Sequence, residues 1–273
     1  MSKIAVLLPV YKNDKPDYLN LAIKSILNQT YSDFKLLIGV DGPIESNLDN
    51  ILSKYQDESR LDIIRFEQNR GLAIVLNDLL DIARNIDVDF LARMDADDIA
   101  IDTRFEKQIK YLETHEEIDI VGGAISEIDE MGNSRNKIII YPKTSEECRK
   151  FFSHRNPHAH PAVMFRWSFF DKIGHGYRPE YRQNQDTMLW YDGMMAGTKH
   201  ANIPDIVLNF RMTESLFKKR RNGWSFAMKQ FKDRLRINKD LKYGIGADLF
   251  GFAMFCILIS PPRIKKLAYK IFR

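Results

Sequence analysis

Cysteine is scarce in this chain. Cys148 and Cys256 are the only two in 273 residues, and neither belongs to a C-x-x-C pair or a metal-ligand spacing. That excludes a disulfide scaffold and a zinc site, and it fits a reducing compartment. Long apolar runs are missing too. The longest uninterrupted one, Leu249 to Ser260, has twelve residues, against roughly 20 needed to span a bilayer. The opening MSKIAVLLPVYKND has too short an apolar stretch for a signal peptide and meets a proline and charges at once. It reads as a first strand, in a protein that is not secreted. No segment of 20 to 50 residues repeats, which excludes a solenoid. Glycine-rich phosphate loops are absent as well: the first strand is followed by PVYKNDKPD, with neither G-x-G-x-x-G nor G-x-x-x-x-G-K-[ST].

What is present is a globular composition, 44% hydrophobic and 29% charged, with no low-complexity tract and enough apolar material for one full core. The net charge of +4 is unevenly placed. The terminal RIKKLAYKIFR carries Arg263, Lys265, Lys266, Lys270 and Arg273 without an acid, and taking these five away leaves −1 for the body. A second basic run, KKRR, covers Lys218 to Arg221. Such clusters are solvated surface, or they meet an anionic membrane or nucleic acid.

Four apolar runs, IAVLL (Ile4 to Leu8), KLLIGV (Lys35 to Val40), LDIIRF (Leu61 to Phe66) and DFLARM (Asp89 to Met94), recur at the spacing of βαβ units. Helical patterns separate them, as in YLNLAIKSILNQ and LAIVLNDLLDIAR. Alternating strands and helices predict a parallel sheet covered on both faces, whose ligands bind beyond the carboxyl ends of the strands. After Arg104 the pattern loosens into a helix (RFEKQIKYLETH) and the strand-like IDIVGGAISEID and NKIIIYP. The segment HAHPAVMFR, a helix start at QDTMLW, the strands HANIP and IVLNFR, and a basic helix from Trp224 to about Asp240 follow.

The stretch FLARMDADDIAI puts Asp95, Asp97 and Asp98 directly after a buried strand. Three carboxylates so close are either solvated or gathered around a cation. A nucleotide site without a glycine cradle needs a cation to neutralise a diphosphate, and this cluster is placed to hold one. Aspartyl-phosphate phosphatases put their acidic pair after the first strand rather than the fourth.

Taken in order, LLPVYKND, SILNQTYSDFKLLIGVDGP, NRGLAIVLND, ARMDADDIAIDTRFEKQIKYLE, HPAVMFR and QDTMLW resemble the family 2 glycosyltransferases across roughly residues 3 to 215. That family has the GT-A fold, a Rossmann-like, mostly parallel α/β sheet flanked by helices, and inverts the transferred sugar. Bacterial O-antigen and capsule enzymes are the members this chain looks most like. The resemblance implies that Asp97 ligates Mn²⁺ or Mg²⁺, with Asp95 near the ribose and the metal. It further implies a nucleotide wall of Pro9, Tyr11 and Asp41, although Asp41-Gly42-Pro43 stands where Asp-Asp-Gly-Ser is commoner. Arg70, beside Gly71, is expected at the diphosphate. Asp186 is the implied base, because direct inversion needs a group to take the acceptor's proton. Its neighbour is Gln185 where the family carries Glu. Asp192 and Glu180 are the substitutes. His160 and Arg166, with His158 behind them, are expected on the acceptor side. Trp190 is either a sugar-pocket floor or core.

Processive relatives carry Q-x-x-R-W and several membrane spans, and neither is present, so one sugar per encounter is expected. The domain limits are 1–215, divided near 105 into nucleotide and acceptor halves, and 216–273 for a C-terminal amphipathic extension. The expected reaction is hexose transfer, galactose or glucose, from a UDP-sugar to a lipid-diphosphate-linked or oligosaccharide acceptor. A nucleotidyltransferase and a non-enzymatic basic module are the alternatives. The segment Ile245 to Ser260, followed by a cationic tail, is either an in-plane anchor on the cytoplasmic face of the membrane or a core helix. The anchor would place the enzyme at the inner membrane surface, with no nucleic-acid partner.

Overall fold

The computed structural model describes residues 3–213 and 224–261; the Lys218–Arg221 run and the basic tail lie outside the described residues. The first half alternates as its apolar periods predict: β1 (Ile4–Val10), α1 (Pro16–Leu27), β2 (Phe34–Val40), α2 (Ser46–Ser53), β3 (Leu61–Arg65), α3 (Leu72–Arg84) and β4 (Phe90–Arg93). After the short β5 (Ile99–Ala100) come α4 (Arg104–Thr114), β6 (Ile120–Ile128), β7 (Ser134–Ile139) and α5 (Ser145–Phe152). A single 3₁₀ turn (His160–Ala162) precedes β8 (Met164–Arg166), α6 (Trp167–Ile173), α7 (Gln185–Met195) and β9 (His200–Arg211). Two helices close the described chain, α8 (Trp224–Asp240) and α9 (Ile245–Ile259).

The strands form one sheet in the order β3-β2-β1-β4-β8-β6-β9-β5, with β7 pairing with the second half of β6. Strands β1 to β4 pair in parallel. Beyond β4 the sheet is mixed, since β8 runs antiparallel to both β4 and β6 while β9 runs parallel to β6. The two strands expected at HANIP and IVLNFR are one long strand, with register shifts opposite Gly123 to Ile125. Pro204 falls at that irregularity, where a residue without an N–H costs no ladder bond.

Residue alternation sends each parallel strand into two cores. Along β1, Ile4, Val6 and Leu8 pack with Leu19, Ile23 and Ile26 of α1, while Ala5 and Leu7 face Val75, Leu76 and Leu79 of α3. Burying each large aliphatic side chain stabilises by roughly 1.5–3 kcal/mol. Strand order reverses at β1, whose neighbours β2 and β4 leave in opposite directions. The crevice of an open sheet sits at such a reversal, beyond the carboxyl ends of the strands. Here that edge gathers the loops after Val10, Val40 and Arg93.

Candidate active site

Strand β4 enters the crevice at Arg93, and the carboxylates of Asp95, Asp97 and Asp98 follow within 4.8 Å of one another. Like charges at that separation need cationic company. Two arginines supply part of it. Arg93, almost fully buried, donates to the Met94 carbonyl and pairs with Asp95 at 2.5 Å. Arg211 comes from the end of β9: its backbone N–H donates to Asp98 Oδ1 and its Nε to the Asp97 carbonyl, both at 2.8 Å. Its Nη1 donates to the carbonyls of Asp129 and Glu130 at 3.1 Å, and its guanidinium lies 4.1 Å over the Tyr18 ring. A third, Arg104, is fully buried under the loop and donates to the carbonyls of Arg93, Pro161 and Val163. Burial lowers its pKa to about 9.

Asp98 is buried, and among the described residues its Oδ2 has no hydrogen-bond partner. Burial, then the charges of Asp97 and Asp95, push its carboxyl well above the usual range. A buried carboxylate oxygen without a donor, flanked by two further carboxylates, suits a hard divalent cation with oxygen ligands. The residues present therefore fit Mn²⁺ or Mg²⁺.

The residues expected to wall the nucleotide are held by the sheet and by one another. Pro9 pairs with Gly39 in the sheet. The Tyr11 N–H donates to Asp14 Oδ2 at 2.9 Å, which shapes the loop after β1. Asp41 is buried, and both its oxygens accept: Oδ1 from the Arg70 N–H (2.7 Å), Oδ2 from the Gly71 N–H and Asn69 Nδ2 (both 2.9 Å). Asp41 thus holds the turn that opens α3. Gly42 belongs to the same device, with φ of +83° and a Cβ position only 2.5 Å from the Asn69 nitrogen. The Arg70 guanidinium, expected at the diphosphate, pairs with Asp78 of α3 and stacks on Phe66 at 4.5 Å.

Across the crevice, Asp186 sits in the first turn of α7. It is no cap, since the N-cap position belongs to Asn184 and no side-chain cap bond forms there. Asn156 Nδ2 donates to Asp186 Oδ2 at 2.9 Å, while the Thr187 hydroxyl shares its one proton between Asn156 Oδ1 (3.0 Å) and Asn184 Oδ1 (2.9 Å). Gln185 turns its amide to the Arg182 carbonyl at 3.0 Å, bracing the approach to the helix. Of the substitute bases, Asp192 is nearly buried in a two-point pair with Arg178 at 2.8 and 2.7 Å, and Glu180 is exposed.

Near the acid loop lies His160, whose Nε2 is 2.9 Å from the Tyr177 hydroxyl. Burial, then the Arg93 charge, lower the imidazole's pKa to about 3, and Asp95 pulls the other way. The phenol is raised by burial and senses Arg93, Asp186 and Asp95 together. One pair of side chains thus feels both ends of the crevice.

Three expected site residues lie elsewhere. Arg166 pairs with Phe90 across β8 and β4, at the end of β4 away from the acids. Its guanidinium caps α4 through the Leu112 carbonyl, binds the Ile118 carbonyl at 3.1 Å and covers the Phe90 ring. Trp190 has no exposed surface and packs against Phe165, His158, His160 and His200, so it is core beneath the pocket. His158 belongs to an internal chain: Asn202 uses both amide protons on carbonyls, so its Oδ1 accepts from His158 Nδ1 at 2.9 Å. His158 Nε2 then accepts from His200 Nδ1 (3.0 Å), and His200 Nε2 from the Thr198 hydroxyl (2.9 Å).

Arg93, Arg211 and Tyr177 were not singled out in the sequence. For Arg93 a signal existed, a cation ending an otherwise apolar strand beside carboxylates. Tyr177 lies in a turn-rich stretch with no periodicity to mark it.

Residues 5–174 match the family model described as Glycosyl transferase family 2. The amylovoran biosynthesis glycosyltransferase AmsE of Erwinia amylovora is 33% identical over 81% of this chain and 80% of its own length. An Escherichia coli UDP-Gal:alpha-D-GlcNAc-diphosphoundecaprenol beta-1,3-galactosyltransferase is 27% identical over 84% and 81%. Among solved structures, Staphylococcus aureus TarS 1–349 in complex with UDP-GlcNAc superposes with a TM-score of 0.66 at 14% identity, covering 97% of this chain and 83% of that one. The GT-A fold is shared.

Proposed function

The chain belongs to glycosyl transferase family 2, and we propose that it moves one hexose, galactose or glucose, from a UDP-sugar to a lipid-diphosphate-linked or oligosaccharide acceptor in bacterial surface polysaccharide synthesis. The observation that carries this reading is the three-carboxylate cluster, with the Tyr177 phenol near enough to sense both Asp95 and Asp186. Relatives of this chain are named for amylovoran synthesis and for galactosyl transfer to a diphosphoundecaprenol-linked sugar, which supports the donor and acceptor classes.

Asp97 and Asp95, with Asp98 behind them, would hold Mn²⁺ or Mg²⁺, which supplies Lewis-acid neutralisation of the diphosphate leaving group. Arg93 and Arg211 set the acid loop's shape through its backbone and Asp95. Pro9, Tyr11 and the turn held by Asp41 form the wall for the nucleoside. Asp186 takes the proton from the acceptor hydroxyl as that oxygen bonds to the anomeric carbon. The bond from that carbon to the phosphate oxygen breaks with its electron pair leaving on UDP, and the configuration inverts. Asn156 orients the carboxylate by its bond to Oδ2.

The C-terminal helices extend the reading to a membrane surface. Helix α9 is apolar on its outer face as well as on the inner one, where Ala247, Gly251 and Phe255 are buried. Its acid, Asp248, turns inward and accepts from Asn238 of α8 at 2.8 Å. Ile245, Leu249, Phe252, Cys256 and Ile259, spaced along one face, are exposed, Ile245 by 77% and Leu249 by 63%. Trp224 adds a further exposed ring at the start of α8. Among the described residues no helix is long and apolar enough to cross a membrane. An apolar outer face on a helix too short to span suits in-plane seating on an anionic cytoplasmic leaflet, helped by the basic tail. Helix α8 joins this face to the acceptor half through Asp233 to the Tyr181 hydroxyl and Asp240 to the Tyr191 hydroxyl.

A donor screen tests the enzymatic core. UDP release from UDP-galactose or UDP-glucose, with and without Mn²⁺ or Mg²⁺, should require the metal and stop reversibly in EDTA. Full turnover in EDTA, or none with any UDP-sugar, would sink the proposal.

A further inference from the structure

The His160–Tyr177 pair carries more than proximity, because its protons can be counted. Tyr177 is only 2% exposed, and among the described residues the one acceptor its hydroxyl meets is His160 Nε2. A buried phenol donates where it can, so Nε2 must offer its lone pair. A neutral imidazole then carries its single proton on Nδ1. His160 Nδ1 bonds no described group, and His160 contributes no atom to the sealed, partnerless set that includes Asp98 Oδ2. A polar N–H is therefore left open beside the acid loop.

The phenol itself is anchored from behind. Asn77 of α3 accepts from the Tyr177 N–H (2.6 Å) and donates to the Tyr177 carbonyl (2.8 Å). Gly176 makes this approach feasible, since a Cβ there would collide with Asn77 Oδ1. Helix α3 packs on β1 and β2, so the tyrosine is referenced to the donor half although it lies in the acceptor half of the sequence.

We propose that Tyr177 is a positioning residue that locks His160 in the Nδ1–H form, so that His160 donates a hydrogen bond to a hydroxyl of the sugar held between Asp95 and Asp186. The assignment rests on the glycosyltransferase reading of the crevice, but its first test does not. Being neutral, the imidazole offers a donor without placing a second cation against the acid loop, consistent with the pKa lowered to about 3.

The experiment labels the full-length protein with ¹⁵N-histidine and reads the imidazole tautomer at pH 7.5, with the His160 signals identified by their loss in His160→Asn. Wild type should show Nδ1–H, and Tyr177→Phe, which keeps the ring and removes the hydroxyl, should move toward Nε2–H. An Nε2–H wild type overturns the lock, whatever the enzyme's substrate. In UDP release from whichever of UDP-galactose or UDP-glucose is used, Tyr177→Phe should lower kcat by about three- to tenfold, the worth of one neutral hydrogen bond. The affinity for UDP itself should stay unchanged. His160→Asn, whose amide nitrogen reaches the Nδ1 position, should retain more activity than His160→Ala and make Tyr177→Phe harmless in the double variant. A Tyr177→Phe enzyme with wild-type kcat, or an Asn variant no better than Ala, would overturn the sugar contact. Should Tyr177→Phe fail to fold, the wild-type tautomer and the Asn-against-Ala comparison still decide the matter.

Discussion

The two sides of the crevice are made by different means. On the donor side, four parallel strands end together, and their loops are short enough that the acids follow within five residues of a buried strand. On the acceptor side, Asp186 stands at the end of a long irregular segment, held by ties to residues distant in sequence: Asn156, Tyr177 through Asn77, and Tyr181 through α8. The donor side is rigid because of its sheet. The acceptor side is assembled from side-chain hydrogen bonds, each worth about 0.5–1.5 kcal/mol. A binding surface for a fixed nucleotide can thus stay constant while the acceptor side varies in detail.

That contrast predicts a hierarchy of effects. The largest belongs to the donor side. Asp97→Ala should abolish turnover in Mn²⁺ or Mg²⁺ while circular dichroism stays native, because a half-buried loop carboxylate contributes little to the core. An active or unfolded variant would break the assignment. Next comes Asp186→Asn, which keeps the size and can hold Asn156. It should lower kcat on the order of 10²–10⁴-fold, the usual worth of a general base, and a rate near wild type would move the base elsewhere.

A smaller effect distinguishes the membrane face. Truncation after Tyr243 is a poor test, because Phe255 and Gly251 pack on α8 and their loss would bare Phe231 and Arg234. Leu249→Glu with Phe252→Glu changes only exposed positions. It should weaken sedimentation with anionic vesicles by roughly tenfold or more, since each large apolar side chain contributes about 1.5–3 kcal/mol when buried. Activity on a soluble acceptor should persist. Unchanged vesicle binding would leave α9 as an ordinary packed helix.

Last comes an effect of another kind, on stability rather than on rate or binding, a pH dependence. Burial lowers His158 to about 4 and His160 to about 3, and pushes His200 well below its usual 6.5. Unfolding lets all three reach that ordinary value, so the unfolded chain binds more protons below pH 6.5. Stability from these groups is complete above pH 6.5 and declines as pH falls toward 4, by about 1.4 kcal/mol per unit for each histidine. Urea midpoints at pH 7 and pH 5 should differ accordingly, and His200→Asn should flatten the slope. Asp98, whose carboxyl burial raises, works in the opposite direction, so the comparison of slopes decides: a His200→Asn slope equal to wild type would contradict the buried neutral chain.

The contrast also explains what was legible in advance. Strands β1 to β4 match the apolar runs to within a few residues, because alternating burial on two faces leaves a local trace in composition. The acid loop was legible for the same reason, as charge interrupting a buried run. Asp41 and Arg70 stood at the expected edge, but no local pattern told that the one would hold the other's turn. Arg166 misled because its neighbours suggested the pocket, whereas antiparallel pairing with Phe90 carries it to the far end of β4. Trp190 was undecidable from helix position alone. Arg211 reaches the acids only because β9 lies beside β6 and β5, a non-local pairing that spacing along the chain does not reveal.

The division of labour between the two sides can be read most directly by calorimetry. UDP with Mn²⁺ is titrated into wild type, Asp97→Ala and Asp186→Asn, and transfer is assayed on the same preparations. The account predicts that Asp186→Asn binds UDP as wild type does yet fails to transfer, whereas Asp97→Ala loses the metal-dependent part of the binding. Metal-dependent UDP binding that survives Asp97→Ala and disappears in Asp186→Asn would contradict it.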